Sequence, residues 1–435
     1  MNSVLISTLG EPSSWDPVNY IYEGSSFFGR SILPILLDRA DPRPDIAIAI
    51  ILDTTVDKVV SSYDELISEV LSKYNRFLKE IGLYENLVKF IVAPGVGRFR
   101  LAKDKDVFFN FIGRLGDYHP YIIYELSKIF ANTDPNITIH LDLTHGINFM
   151  PSLTLLAVRE IASILALTRR NVRFKIYNAE PYIRNVTSEL NIHIVEDSSA
   201  VIEYDLVPLG AKGKCIPLQR YSKDYIYKEE DLRMLISKCE KMRYKLNAFL
   251  SSIFNGLPLA LYTFYPDVTE LESTIEKIVE IWRENISVTS DGKEIYVKRN
   301  LSFGEDFAKL TQIWLIAKTL NLYKRIEVSY EELDSLRESF FSIFSKKIDG
   351  MISRDLYRVK EDVKKRREKC RDWVKLCAIY EEHKNFTTRD FLAHSGLEMN
   401  VTEVKYEGQS IMLRYAKDEI RKVINGCLHG LQKAK

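Results

Sequence analysis

The sequence predicts an α/β Rossmann-like N-terminal domain followed by an all-α C-terminal domain that carries a small β-hairpin insert, and three observations predict it. Short Ile- and Val-rich runs alternate with longer amphipathic stretches over the first two hundred residues, the pattern of parallel strands joined by crossover helices. From about Lys228 onward, apolar residues recur at three- and four-residue spacing. Near 285–300, Ser290-Asp291-Gly292 separates β-prone Ile286 and Val288 from Ile295 and Val297, a hairpin signal set among helices. The expected domains are 1–200, a connector over 201–230 marked by Gly210, Gly213 and Pro217, and a helical domain over 231–435.

The strands expected in order are 3–8, 45–52, 87–93, 137–143 and 172–178, each bounded by turn or charged residues and read as buried parallel strands. Further strands are expected at 191–195 and 200–207. The clearest helix is 59–81, where Tyr63, Leu66, Ile67, Val70, Leu71, Tyr74, Phe77, Leu78 and Ile81 form one stripe. A second runs over 147–167. The later helices are expected at 232–250, 270–282, 307–320, 330–344 and 409–431.

Composition narrows the function classes. The 61 Lys and Arg against 60 Asp and Glu give no global field for nonspecific nucleic-acid binding. The halves differ, because residues 351–435 hold 19 basic and 13 acidic side chains, which leaves the first 350 residues at −5. The basic run over 354–372 reads either as a solvated helix face or as an RNA-facing surface. The five cysteines (Cys215, Cys239, Cys370, Cys377, Cys427) form no C-x-x-C pair, which fits reduced thiols without structural metal. No basic n-region opens the chain and no uninterrupted apolar run reaches the ~18 residues of a membrane span, so a cytoplasmic protein is expected.

In an open parallel sheet, ligands bind beyond the carboxyl ends of the strands. The loop after the first strand holds Thr8, Gly10 and Trp15, followed by Asn19; that after the third holds Gly95 and Gly97; that after the fourth holds Thr144, His145, Gly146 and Asn148 and leads into a helix. Hydroxyls, glycines and free amides at a helix start suit phosphate, and an exposed Trp15 or Tyr20 could stack on a base. The same residues read equally as turn glycines and helix caps. Gly95-Val96-Gly97 is no dinucleotide fingerprint, since Arg100 stands at the third glycine position, and the chain has no G-x-x-x-x-G-K-[ST].

A second candidate is Arg389-Asp390-Phe391-Leu392-Ala393-His394, with Thr387 or Thr388 as N-cap. In a continuous helix the Arg and His side chains would lie about 140° apart and about 7.5 Å along the axis, so they share no narrow face. They could transfer a proton and hold charge on a phosphate, or be a surface arginine and a packed histidine.

Together the two sites resemble a known combination. Asp142-Leu143-Thr144-His145-Gly146-Ile147-Asn148, with Thr8-Leu9-Gly10 after the first strand, resembles the CARF domain of CRISPR-associated proteins. The Arg389–His394 hexapeptide resembles the R-x4-H motif of HEPN ribonucleases, and the order of the two is similar to that of the CARF-HEPN accessory ribonucleases of type III CRISPR systems. The resemblance implies an endoribonuclease that cleaves single-stranded RNA without metal, leaves 2′,3′-cyclic phosphates, acts as a homodimer or higher homo-oligomer, and is activated by a cyclic oligoadenylate, most often the tetramer. It implies no cofactor besides that activator. By the same resemblance Thr8, Gly10, Thr144, His145, Gly146 and Asn148 line the activator site, with Trp15, Asn19, Gly95 and Gly97 from their loops; Arg389 and His394 are catalytic, and Asp390 orients. The competing reading is a ligand-responsive nucleic-acid-binding regulator without catalytic activity, which would have no use for Arg389 with His394.

Overall fold

A computed structural model describes residues 1–101, 106–168, 171–203, 207–222, 229–382 and 384–433. The chain divides into two compact units, one of residues 1–204, 217–232 and 276–315, the other of 205–216, 233–275 and 316–435.

The first unit is built on β1 (Ser3–Leu9), β2 (Val18–Tyr22), β3 (Ser25–Gly29), α1 (Leu33–Arg39), β4 (Ile46–Leu52), α2 (Tyr63–Glu80), β5 (Val88–Ala93), β6 (Gly97–Arg100), β7 (Phe108–Ile112), α3 (Tyr118–Phe130), β8 (Asn136–His145), α4 (Phe149–Thr168), β9 (Asn171–Ala179) and β10 (Glu189–Ser199). An eight-stranded sheet runs β3-β2-β10-β9-β8-β1-β4-β5. Its five strands β9, β8, β1, β4 and β5 pair in parallel. The central β1 is buried at every position and needs no polar face, because both faces of the sheet are covered. The helix α2 starts where Ser62 accepts from the Glu65 amide at 3.2 Å, and it buries Leu66, Val70, Tyr74, Phe77 and Leu78 as one stripe.

The helix α4 is long and apolar enough to cross a membrane by length and composition. The continuity that the sequence lacks in a strict apolar run is thus nearly met. Ten of its residues, among them Ala157, Val158, Ile161 and Leu165, are nevertheless buried in the unit's core.

The hairpin expected near 285–300 is formed by β12 (Ile286–Asp291) and β13 (Glu294–Arg299), which follow β11 (Leu218–Arg220), α5 (Glu229–Phe254), α6 (Pro258–Thr263) and α7 (Val268–Glu284). It is not an insert of a helical domain. The strand β13 pairs in parallel with β7 and completes a sheet β12-β13-β7-β6, all within the first unit. Likewise β11, in the expected connector, pairs with β14 (Leu301–Phe303). Residues 200–203 form no strand, and the rest of that expected strand, like 223–228 of the connector, lies largely outside the described residues.

The second unit is mainly helical, as expected. It holds most of α5, α6, the C-terminal end of α8 (Glu305–Leu320), β15 (Val328–Ser329), α9 (Tyr330–Leu336), α10 (Ser342–Phe344), α11 (Lys346–Lys365), β16 (Val374–Lys375), α12 (Leu376–Tyr380), α13 (Thr388–Ala393), β17 (Thr402–Glu407), β18 (Ser410–Tyr415) and α14 (Ile420–Lys433). It also carries a small sheet β15-β18-β17-β16. The expected helix 409–431 is therefore a strand followed by a helix, with Gly408 at φ +62° turning β17 into β18. The short α13 is clamped by its one buried ring: a Cβ at Gly426 of α14 would meet the Phe391 ring at 2.5 Å, so that glycine sets the approach of the two helices.

Candidate functional site

In the first unit the ends of β1 and β8 interlock. The Gly10 amide donates to the His145 carbonyl at 2.7 Å, and the Tyr74 hydroxyl donates to the Gly10 carbonyl. A Cβ at Gly146 would stand 2.6 Å from Thr8 Oγ1 and from the Pro151 ring, and one at Gly10 would stand 2.8 Å from the His145 carbonyl. Close approach to neighbouring atoms, not a positive φ, requires both glycines. The buried Asp142 carboxylate accepts from Ser7 Oγ at 2.6 Å and from the Thr144 amide at 2.8 Å, which fixes the loop before α4. Thr144 Oγ1 accepts from the Ala179 amide at 3.1 Å, and Asn148, exposed, takes φ +38° just ahead of α4.

Trp15 is half-buried, with part of its ring covered. Its indole already lies on the His145 imidazole, with centroids 4.4 Å apart, and edge-on to Phe77 at 5.5 Å. Burial holds His145 below the usual imidazole pKa, against the attraction of Asp142, so the ring is neutral near pH 7. The Thr8 hydroxyl is buried and has no hydrogen-bond partner among the described residues. Five expected residues, Thr8, Gly10, Trp15, His145 and Gly146, thus converge, and Thr144 and Asn148 flank them.

Three other residues sit elsewhere. Asn19 faces away from its neighbour Tyr20 on β2, and it is Tyr20 whose hydroxyl reaches His145 Nε2, at 3.5 Å. The Gly95 amide donates to Asp53 Oδ1 at 2.8 Å and its carbonyl accepts from Arg299 Nη1 at 2.7 Å, so Gly95 serves a buried ion pair. Gly97, at φ +133°, opens β6 against the Phe99 ring. Tyr20, expected from the sequence as an exposed ring that could stack on a base, is instead buried, and Asp53 had no signal beyond its position at a strand end.

In the second unit Thr387 is the N-cap of α13, its Oγ1 accepting from the Asp390 amide at 3.0 Å. The helix lasts six residues, and His394 is the first residue beyond it, at φ −109°. The Ser395 and Gly396 that follow take φ +50° and +77° and reverse the chain. His394 side-chain atoms are 42% exposed, and Nδ1 stands 3.4 Å from Asp355 Oδ1. The second Asp355 oxygen accepts from Ser395 Oγ at 3.0 Å, and Arg354 donates to the Ala393 carbonyl at 3.2 Å. His394, Asp390, Asp355, Arg358 and Tyr380 line a polar cavity of 180 Å³. The Asp355 hydrogen bond holds His394 above the usual imidazole pKa, against partial burial and the nearby Arg358 and Arg354. Arg389 is exposed on the first turn of α13, makes no ion pair among the described residues, and does not line this cavity. Asp355 escaped the sequence reading, although a carboxylate on the apolar stripe Ile352, Leu356, Val359, Val363 of α11 was its signal.

Among the described residues no three His, Cys, Asp or Glu side chains gather as a metal site would require. The basic run over 354–372 is paired with carboxylates only in part: Arg358 and Arg366 share Asp362, Lys369 stands on Glu381 and Arg371 on Glu368.

These two constellations coincide with two family models, described as the CARF domain and the HEPN domain of CRISPR system endoribonuclease Csx1, which match residues 4–181 and 345–418. A Methanocaldococcus jannaschii protein described as CRISPR system endoribonuclease Csx1 is 33% identical over 416 residues, which covers 93% of this chain and 87% of that protein. The chain belongs to the Csx1 family. It is thus a CARF-HEPN protein of the CRISPR-associated ribonuclease class, as its motifs led one to expect. The R-x4-H hexapeptide falls within the HEPN match of this Csx1-family chain, and the D-x-T-H-G-x-N string falls within the CARF match. A solved structure of Enterococcus italicus Csm6 bound to cyclic hexa-2′-fluoro-hexa-dAMP aligns over 99% of this chain and 92% of its own at 12% identity, with a TM-score of 0.25, too loose a superposition to transfer positions.

Proposed function

We propose that this Csx1-family chain is a cytoplasmic, cyclic oligoadenylate-activated endoribonuclease that cleaves single-stranded RNA without a metal ion. The observation that carries the reading is His394, half-exposed at the mouth of a polar cavity and oriented by a buried carboxylate. Its imidazole would take the proton of the substrate 2′-hydroxyl or return one to the leaving 5′-oxygen. The bond from the 2′-oxygen to phosphorus forms as the bond from phosphorus to the 5′-oxygen breaks, leaving a 2′,3′-cyclic phosphate and a 5′-hydroxyl. The attacking group belongs to the substrate, so the balance calls for neither water nor metal. Arg389 would hold the charge that builds on the phosphate oxygens. Because it does not line the cavity of its own chain, a homodimer that brings one protomer's Arg389 toward the partner's cavity accounts for both residues. The HEPN match over this helix favours the nuclease over the regulator.

The direct test is cleavage of a labelled single-stranded RNA with cyclic tri-, tetra- and hexaadenylate side by side, in EDTA. Cleavage by at least one of them, ending in 2′,3′-cyclic phosphates, is expected. Dependence on added divalent cation would sink the mechanism.

For the sensor, the proposed ligand residues are Thr8, Gly10, Trp15, Thr144, His145, Gly146 and Asn148, with Tyr20 added and Asn19, Gly95 and Gly97 left in structural roles. Asn148→Asp keeps the shape of the side chain and tolerates positive φ, but sets a negative charge where phosphates would approach. The activator concentration for half-maximal cleavage is expected to rise about tenfold, roughly 1.4 kcal/mol of lost binding. An unchanged dose response removes Asn148 from the site.

A further inference from the structure

A second cavity in the helical unit, of 820 Å³, is lined by none of the residues that line the His394 pocket. Its floor is apolar, made by Met242 and Leu246 of α5 with Phe264, Ile326 and Ile424. Around that floor stand four lysines, Lys241, Lys245, Lys324 and Lys417. All four are exposed, and none has a carboxylate partner among the described residues. Two acids also stand in the wall: Asp267 Oδ1 accepts from the Glu270 amide at 3.0 Å, and the Glu270 carboxylate stands 3.8 Å from Lys238, so the lysines outnumber the carboxylates two to one. An excess of ammonium groups around an apolar floor suits a ligand that alternates anionic groups with flat apolar faces.

The groove also touches the support of the catalytic loop. Tyr415 forms part of its wall, and the Tyr415 hydroxyl donates to the Gly396 carbonyl at 3.1 Å, two residues beyond His394. The same ring lies 6.2 Å from that of Phe391, the residue that anchors α13. We propose that this lysine-rimmed groove holds the stretch of single-stranded RNA that flanks the scissile linkage, with phosphates on the lysines and bases on the apolar floor. The proposal rests on the ribonuclease reading and adds to it a substrate-binding track separate from the reacting groups. It makes affinity depend on substrate length.

The test compares the full-length wild type with the double variant Lys245→Glu/Lys324→Glu and with its neutral counterpart Lys245→Gln/Lys324→Gln. Binding of a 30-nucleotide single-stranded RNA is read by fluorescence anisotropy across a salt series, and kcat/KM is read on that RNA and on a trinucleotide of the same scissile sequence. The charge-reversed variant is expected to bind the long RNA about tenfold or more weaker, and the neutral one to lower the slope of log affinity on log salt by about 1.4, near 0.7 for each lost phosphate contact. KM for the long RNA should rise while cleavage of the trinucleotide changes less than twofold. Equal losses on both substrates, or no loss on either, overturn the track. So does a change in oligomeric state with RNA affinity intact, which would give the groove to a second copy of the chain. If the wild type cleaves nothing with any activator, the nuclease reading has failed, and the binding series alone still decides whether the groove holds RNA.

Discussion

Replacing His394 by alanine is expected to abolish cleavage of single-stranded RNA, with a loss of at least about 10²- to 10⁴-fold, the span of a positioned general acid or base. The variant should still fold, because the ring is half-exposed, and its contact with Asp355 leaves that carboxylate bonded to Ser395. Activator binding to the CARF unit should be unchanged, since the substitution lies in the other unit. Measured together by product analysis and calorimetry, those two readouts separate loss of chemistry from loss of regulation; cleavage at the wild-type rate refutes the assignment. A pH profile sharpens it. Asp355 raises the His394 pKa, so the neutral imidazole needed to accept the 2′-hydroxyl proton is available only at higher pH than for a free histidine. Asp355→Asn should therefore move the acid limb of kcat/KM to lower pH. The linked stability has the opposite sense: this pair stabilises the fold below the histidine's unfolded pKa, and the contribution fades as pH rises through the folded value.

The parts legible in sequence were those encoded locally. The five parallel strands could be read because each is a buried run with its own boundaries, and α2 because one stripe fixes its face. The hexapeptide was legible as a motif, but not its geometry. The 140° separation assumes a continuous helix, whereas α13 ends at Ala393 and the chain reverses through Ser395 and Gly396. The strand β18 was hidden by composition: Ile411, Leu413 and Tyr415 alternate in burial, yet with the later apolar residues they also fit helical spacing. No local signal could place the hairpin, since β13 finds its partner β7 across about 185 residues, and a register of that range is written only in the folded core. The same holds for Asp355, whose partner lies 39 positions away.

The hairpin's role in the sensor unit gives the largest expected effect on stability. Arg299, the last residue of β13, is 1% exposed and pairs with Asp53, which is 0% exposed at the end of β4. Asp53 also accepts from the Gly95 amide at 2.8 Å and from the Tyr63 hydroxyl at 3.0 Å, while Arg299 donates to the Gly95 carbonyl at 2.7 Å. The four groups thus tie the loops after β4 and β5 to the end of β13. Arg299→Ala leaves a carboxylate in the core without its cation, and also orphans the Gly95 carbonyl, so a loss of about 3–5 kcal/mol is expected. In a unit of this size that is a fall of very roughly 10 °C in the melting midpoint. The double variant Asp53→Asn/Arg299→Met removes both charges and should recover part of the loss, because breaking one side of a buried pair costs more than removing both. Were β13 merely an appendage of the helical unit, Arg299→Ala would leave the midpoint within about 1 °C of the wild type, as an ordinary surface substitution does. Calorimetric melting of the single and double variants distinguishes the two: a large single-variant loss with partial recovery in the double places the hairpin in the structural frame of the CARF unit.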